Sequence, residues 1–195
     1  MLRVHDVLPR SSIYGPGERF VLWVQGCTLA CPGCWNVETW SKKGGSDREV
    51  GALVDDVRRS MEEGPLEGIS ILGGEPLQQA PAVLALIDAV KPMGLSVLLY
   101  TGYEPDEYDA TMQACHDRSD LLIGGRYVQG LRDPFLRWRG SSNQSFTSPT
   151  GRYDVTEFDD LQEVEVIIDH ETGQLTVTGY PEADLLDLVR SFNAT

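Results

Sequence analysis

Between Arg19 and Ile123 the chain alternates short apolar runs with longer amphipathic ones, and this alternation narrows the available folds more than any other feature. Arg19-Phe-Val-Leu-Trp-Val-Gln25, Gly68-Ile-Ser-Ile-Leu72, Leu95-Ser-Val-Leu-Leu-Tyr100 and Leu121-Leu-Ile123 read as strands. Between them, Ser46 to Glu63 has helical spacing at Val50, Leu53, Val54, Val57 and Met61, with Ser46 or Asp47 as the expected cap. Gln79 to Lys91 repeats the pattern and is closed by Pro92 and Gly94; Pro105 to His116 forms a third helix. Strands alternating with helices imply βαβ units and a parallel sheet. Ligands then bind at the carboxyl ends of the strands. The segments that follow those ends are Gly26–Asn36, Gly73–Pro76, Thr101–Tyr103 and Gly124–Arg126. A barrel or half-barrel would bring all four to one mouth.

After Arg139 the alternation stops. Residues 140–145 form a polar loop, Glu163–Asp169 and Gln174–Thr178 read as a hairpin around His170-Glu-Thr-Gly173, and Pro181–Phe192 as a closing helix. The expected division is a core over 1–145 and an extension over 146–195. At 195 residues the chain suits one domain with a small appendage. No apolar run approaches the roughly 20 residues that span a bilayer, the first residues lack a secretory apolar stretch, and neither end carries a lipidation motif. The expectation is a cytoplasmic protein without a membrane partner. A net charge of −14 argues against a nucleic-acid binder, which needs a basic footprint. One local exception stands out: Arg126, Arg132, Arg137 and Arg139 fall close together, with Asp133 the only acid among them. Such a run is either a solvated loop or a recognition strip for a phosphate, a carboxylate or an acidic segment.

Three of the four cysteines crowd into Cys27-Thr-Leu-Ala-Cys31-Pro-Gly-Cys34. Without a secretion signal, this clustering points to a metal centre rather than a disulfide framework. Structural zinc takes four protein ligands, and here only three are local. Cys115 reads as a buried thiol, and nothing in the spacing of His5 or His116 favours either as a fourth ligand. The economical reading is three protein ligands and one open position.

Cys27-x3-Cys31-x2-Cys34 resembles the cluster motif of the radical S-adenosylmethionine (SAM) enzymes, and Gly73-Gly74-Glu75-Pro76 resembles their SAM-amino-group motif. The resemblance narrows to the activating enzymes of anaerobic (class III) ribonucleotide reductase. It is carried by Gly15-Pro-Gly17, Gln25-Gly-Cys27, an aromatic and Asn36 after Cys34, Glu38-Thr-Trp40, Leu72-Gly-Gly-Glu-Pro-Leu77, Tyr100-Thr-Gly-Tyr103 and Arg137-Trp-Arg-Gly-Ser-Ser-Asn-Gln144. It covers about residues 10–145. The chain departs from the subgroup at Gly124-Gly125, where an Asp-Gly pair is common, and in the extension beyond about 150.

The resemblance implies a partial (β/α) barrel of the radical SAM type, here followed by a hairpin and helix. It implies that Cys27, Cys31 and Cys34 hold three irons of a [4Fe–4S] cluster and that SAM chelates the fourth. One electron then cleaves the C5′–S bond to give methionine and a 5′-deoxyadenosyl radical. Gly73, Gly74 and Glu75 are expected at the SAM amino group, with backbone carbonyls reaching the ammonium where no Cβ intervenes and Glu75 adding an acceptor or bracing the turn. Asn36, Thr101 and Tyr103 are expected around SAM, and Trp35 and Trp40 as shields of the cluster. Arg126, Arg137, Arg139, Asn143 and Gln144 are expected to recognise the substrate or partner. The implied partner is a large reductase that receives a glycyl radical, with flavodoxin or ferredoxin as low-potential donor. The competing expectations are a radical SAM enzyme acting on a small molecule or peptide, and a non-enzymatic iron–sulfur or zinc module, which the glycine motif and open position disfavour.

Overall fold

The computed structural model describes residues 1–158, 161, 163–169, 171–179, 181 and 183–194. Its frame is one mixed sheet built from β1 (Leu2–Ser11), β2 (Arg19–Val24), β3 (Ser46–Arg48), β4 (Gly68–Gly73), β5 (Ser96–Thr101), β6 (Leu121–Gly124) and β7 (Ser145–Thr147). The strand order is β3-β1-β2-β4-β5-β6-β7. The four central strands β2, β4, β5 and β6 run parallel; β1, β3 and β7 pair antiparallel with their neighbours. Helices α1 (Val50–Glu62), α2 (Ala80–Val90) and α3 (Ala110–Arg118) form the crossovers. The chain is thus mixed α/β, with the parallel centre that the alternation predicts.

The period-2 alternation of each central strand divides its side chains between two layers. Phe20, Leu22, Ile69, Ile71, Val97 and Leu99 join Leu53 and Val57 of α1, Val83, Leu86 and Ile87 of α2, and Cys115 of α3 in the main core. Each such fully buried aliphatic side chain stabilises the fold by about 1.5–3 kcal/mol. Leu98, Leu121 and Ile123 face the other way, onto Trp138, Phe146, Tyr153 and Phe158 rather than onto helices. At the amino end of that second face lies Arg19, wholly buried. Its guanidinium donates to the hydroxyls of Ser70 (2.7 Å) and Ser96 (2.9 Å) and to the Ile69 carbonyl (2.6 Å), so the buried cation is hydrogen-bonded rather than stranded.

Four elements differ from expectation, the first being β7, whose Ser145 falls in the expected polar loop yet pairs with β6. Ser46–Arg48 is a short edge strand on β1, not the first turn of a helix; α1 starts after Glu49, which makes no side-chain cap bond. The segment Pro105–His116 is broken: Pro105–Glu107 is a 3-10 turn and α3 starts only after Asp109, whose carboxylate accepts from the Thr111 and Met112 N–H groups. β1 was not foreseen. Beyond the sheet, β8 (Val164–Ile168) and β9 (Leu175–Gly179) form the expected hairpin, and α4 (Ala183–Asn193) the expected closing helix. His170 of the expected turn and Glu182 of the expected helix lie outside the described residues. Among the described residues no helix is long and apolar enough to cross a membrane.

Candidate active site

The carboxyl ends of β2, β4, β5 and β6 meet at one cavity, as the strand-end argument requires. Its lining brings together Cys27, Cys31, Cys34, Asn36, Gly73, Gly74, Glu75, Thr101, Arg139 and Gln144. Tyr103, Arg126, Arg137 and Asn143 stand outside it.

The cysteine loop is fixed to the sheet mainly through backbone. The Gly26 and Cys27 N–H groups donate to the carbonyls of Thr39 (2.7 Å) and Trp40 (3.1 Å), closing the loop on itself. Gln25, buried just before it, binds the far side: its amide nitrogen donates to the carbonyls of Glu38 (3.0 Å) and Ser41 (2.7 Å), and its oxygen meets His5 Nδ1 at 2.7 Å. Burial pushes the Cys27 and Cys31 thiols up, while backbone N–H groups of Leu29 and Ala30 at Cys27, and of Tyr127 at Cys31, favour the thiolates.

The two glycines have a more specific task than approach to a ligand. Gly73 has φ +107°, and a Cβ there would sit 2.6 Å from the Val24 nitrogen. A Cβ on Gly74 would sit 2.4 Å from the Gly26 carbonyl oxygen. The Gly74 N–H donates to Val24 O (2.8 Å) and the Glu75 N–H to Gly26 O (2.9 Å). The pair therefore lets the end of β4 cross directly against the root of the cysteine loop. A Gly74→Val change would displace that loop, so it does not isolate ligand contact.

Glu75 braces this junction. Its side chain is buried; Oε1 accepts from the Leu77 N–H (2.9 Å) and the Thr101 hydroxyl (2.9 Å), and Oε2 from the Gly102 N–H (2.8 Å). Burial without an ion pair pushes its carboxyl up to about 7, against the pull of these donors. Thr101 is committed to the same bracket, since its hydroxyl also accepts from the Tyr103 N–H at 3.0 Å. The Asn36 side chain makes no cap hydrogen bond to the 3-10 turn it precedes; its carbonyl accepts from Thr39 instead, and the residue lines the cavity.

The residues outside the cavity have partners of their own. Arg126 forms a two-point ion pair with Glu107 (2.6 and 2.7 Å) and lies over Tyr103, whose hydroxyl accepts from Gln78. Arg137 covers the Trp138 ring and reaches Glu163 at 3.5 Å. Asn143 donates to the Arg126 carbonyl (2.8 Å), and Gln144, though at the cavity, spends its amide on Gly125, Gly140 and Ser141. Arg132 and Arg139 are the arginines that line the cavity, the first over the exposed Trp35 ring and the second over Phe146. Sequence reasoning missed Leu29, Gly102, Tyr127 and Trp138 in the lining; of these only Tyr127 lies outside the motifs it singles out.

The donor set fits a cluster with three protein ligands. The three thiols ring one cavity beside Trp35, Trp40, Leu29 and Leu72. Among the described residues no three His, Cys, Asp or Glu side chains converge on a single-ion site, as structural zinc demands, whereas a four-iron cluster takes each thiolate on a separate iron. Cys115 is wholly buried, donates to Ala80 O and has its thiol pushed up to about 12 by burial, so it remains a packed thiol. His5 is engaged with Gln25 and His116 with Asp117.

Comparison with known proteins agrees with this geometry. Residues 13–147 match the 4Fe-4S single cluster domain family. The anaerobic ribonucleoside-triphosphate reductase-activating protein of Salmonella typhimurium is 37% identical over 153 residues, covering 73% of this chain and 96% of the relative. The protein of the same description from Escherichia coli K12 is 36% identical with the same coverage. That of Enterobacteria phage T4 is 30% identical, covering 74% of this chain and 92% of the relative. The chain belongs to the anaerobic ribonucleoside-triphosphate reductase-activating protein family. In this chain backbone hydrogen bonds join the root of the cysteine loop to the β4 glycine turn and Glu75, and the hairpin–helix extension lies beyond the family match over residues 13–147.

Proposed function

We propose that this protein is a radical SAM activase that generates a glycyl radical on an anaerobic ribonucleotide reductase, and that its sheet curls as a partial (β/α) barrel around the site. The observation that carries the reading is the single cavity that holds all three thiols together with the Gly73-Gly74 turn. Cys27, Cys31 and Cys34 would hold a [4Fe–4S] cluster and the strand ends would hold SAM. When bound, these groups supply a one-electron cleavage of the sulfonium to methionine and a 5′-deoxyadenosyl radical.

The chain's own residues orient and enclose. Glu75 acts as a positioning residue: it fixes the β4 and β5 ends relative to each other and adds negative charge beside the cavity, which suits the cationic ammonium and sulfonium of SAM. Asn36 offers an amide to the carboxylate or ribose. Trp35 and Trp40 exclude water from the thiols. Arg139 and Arg132 face the incoming substrate; Arg126, Arg137, Asn143 and Gln144 support the rim from behind. A reduced cytoplasm keeps the thiols free, and a low-potential flavodoxin or ferredoxin is the electron donor that this chemistry requires.

The test is direct. Reconstituted protein, SAM, dithionite and a candidate large anaerobic reductase are mixed anaerobically, and the reductase is examined by electron paramagnetic resonance. The expected result is a glycyl radical signal that disappears when the target glycine is changed to alanine. SAM cleavage with no radical on the reductase would contradict the assignment.

A further inference from the structure

The cavity at the strand ends does not stand alone. A second groove adjoins it, and the two share Trp35, Asn36 and Leu72. One wall of this groove is β1 from His5 to Leu8; the other is the hairpin, through Ile167, Thr176 and Thr178. Tyr14 and Trp23, packed edge to face with ring centres 5.0 Å apart, lie in its lining. The hairpin is tied there by side chains. Ser11 donates to Glu165 (2.7 Å), the Gly179 N–H donates to the Tyr14 hydroxyl (2.9 Å), and that hydroxyl also meets Thr178.

We infer that this groove receives an extended stretch of the partner reductase adjoining its target glycine, with the hairpin as the wall that selects it. The inference rests on the activase reading above. A glycine within a chain enters the mouth with polypeptide attached on both sides, so the mouth needs an exit that a small molecule would not. The groove supplies one, starting at Trp35 and Asn36 beside Cys34. One wall contains a strand with an open edge: among the described residues, β1 past Val4 pairs only with β2, whereas the outer edge of β9 is partly taken, Leu175 by the Asn193 amide and the Gly179 N–H by Tyr14. Such edges bind added extended chain through backbone hydrogen bonds. The groove's lining includes Asp6 and Glu38 and, among the described residues, no Lys or Arg, so the segment it takes is neutral or basic. The family match ends at residue 147, so the hairpin wall is an addition to the matched core.

Thr176 is exposed, lines the groove and has no part in the cluster or SAM machinery. A Thr176→Trp holoenzyme should bind the large reductase about ten-fold more weakly by calorimetry, equivalent to ~1.4 kcal/mol. Its iron content and its SAM cleavage without partner should match the parent. Thr176→Arg is the second blocker, and serves if the tryptophan variant fails to load iron. Ile168→Ser, exposed and on the opposite side of the hairpin, should leave reductase binding unchanged. Parental affinity in both Thr176 variants, or a loss confined to Ile168→Ser, overturns the inference. If the unmodified holoenzyme neither binds nor activates the reductase, the activase reading itself falls, and this inference with it.

Discussion

Two buried carboxylates sit at opposite ends of the sheet's parallel centre, each accepting three hydrogen bonds, yet their surroundings drive them in opposite directions. At the amino end Asp120 accepts from the Lys91 ammonium (2.7 Å), the Thr150 hydroxyl (2.7 Å) and the Val97 N–H (2.9 Å). At the carboxyl end Glu75 accepts from one hydroxyl and two backbone N–H groups. The difference is one cation. Burial raises the Asp120 carboxyl, but Lys91, Thr150 and Val97 outweigh it and hold the group below the ordinary carboxylate range. For Glu75, burial wins. The Asp120 carboxylate is paired with a cation of the protein, whereas among the described residues Glu75 has no paired cation, beside a cavity where a cationic ligand is expected.

Asp120→Ala is the larger of two ways to break this comparison. It strands the Val97 N–H and the Lys91 ammonium, and because the Lys91 side chain is 32% exposed the loss should fall below that of a fully buried pair. We expect about 2–4 kcal/mol of destabilisation by denaturant titration, with iron loading unchanged. Lost iron with intact stability would reverse the assignment of the two ends.

Glu75→Gln sharpens the comparison. It places an amide where three donors converge and should cost about 1–3 kcal/mol at low pH, where the parent carboxyl is protonated. The pH dependence separates the two groups. Asp120 has a lowered folded value, so its contribution is present above the ordinary carboxylate range and is lost as pH falls through that lowered value. Glu75 has a raised folded value, so the unfolded chain ionises first and stability declines as pH rises from about 4.5 to about 7. Chemical denaturation at several pH values should show that decline in the parent and its absence in Glu75→Gln. The same decline in both proteins would mean that another group causes it.

The carboxyl end was more legible in the sequence than the amino end. The three thiols at the cavity come from one short cysteine run, and the β4 turn is glycine because a Cβ would strike Val24 and Gly26 backbone, so both leave local marks. Asp120, Lys91 and Thr150 are separated by about thirty residues in each direction, and no local pattern joins them. The same reason explains Arg126, which resembles a recognition residue until Glu107, 19 positions away, folds against it. β1 was hidden because register shifts between Val4 and Asp6 and between Leu8 and Ser11 interrupt its alternation. Ser46–Arg48 is wholly polar, and only its pairing with β1 makes it a strand. Asp109 split the third helix through a side-chain cap that periodicity alone does not report.

The measurement that tests the central claim most directly is SAM cleavage by the reconstituted protein under dithionite, with iron counted on the same samples. The parent and Cys115→Ala should carry about four irons per chain and release 5′-deoxyadenosine. Cys27→Ala, Cys31→Ala and Cys34→Ala should each lose the cluster and the product, with melting temperatures close to that of the cluster-free parent. Cleavage that survives in a triad variant, or that vanishes in Cys115→Ala with the fold intact, would contradict a three-thiolate centre at the carboxyl end of the sheet.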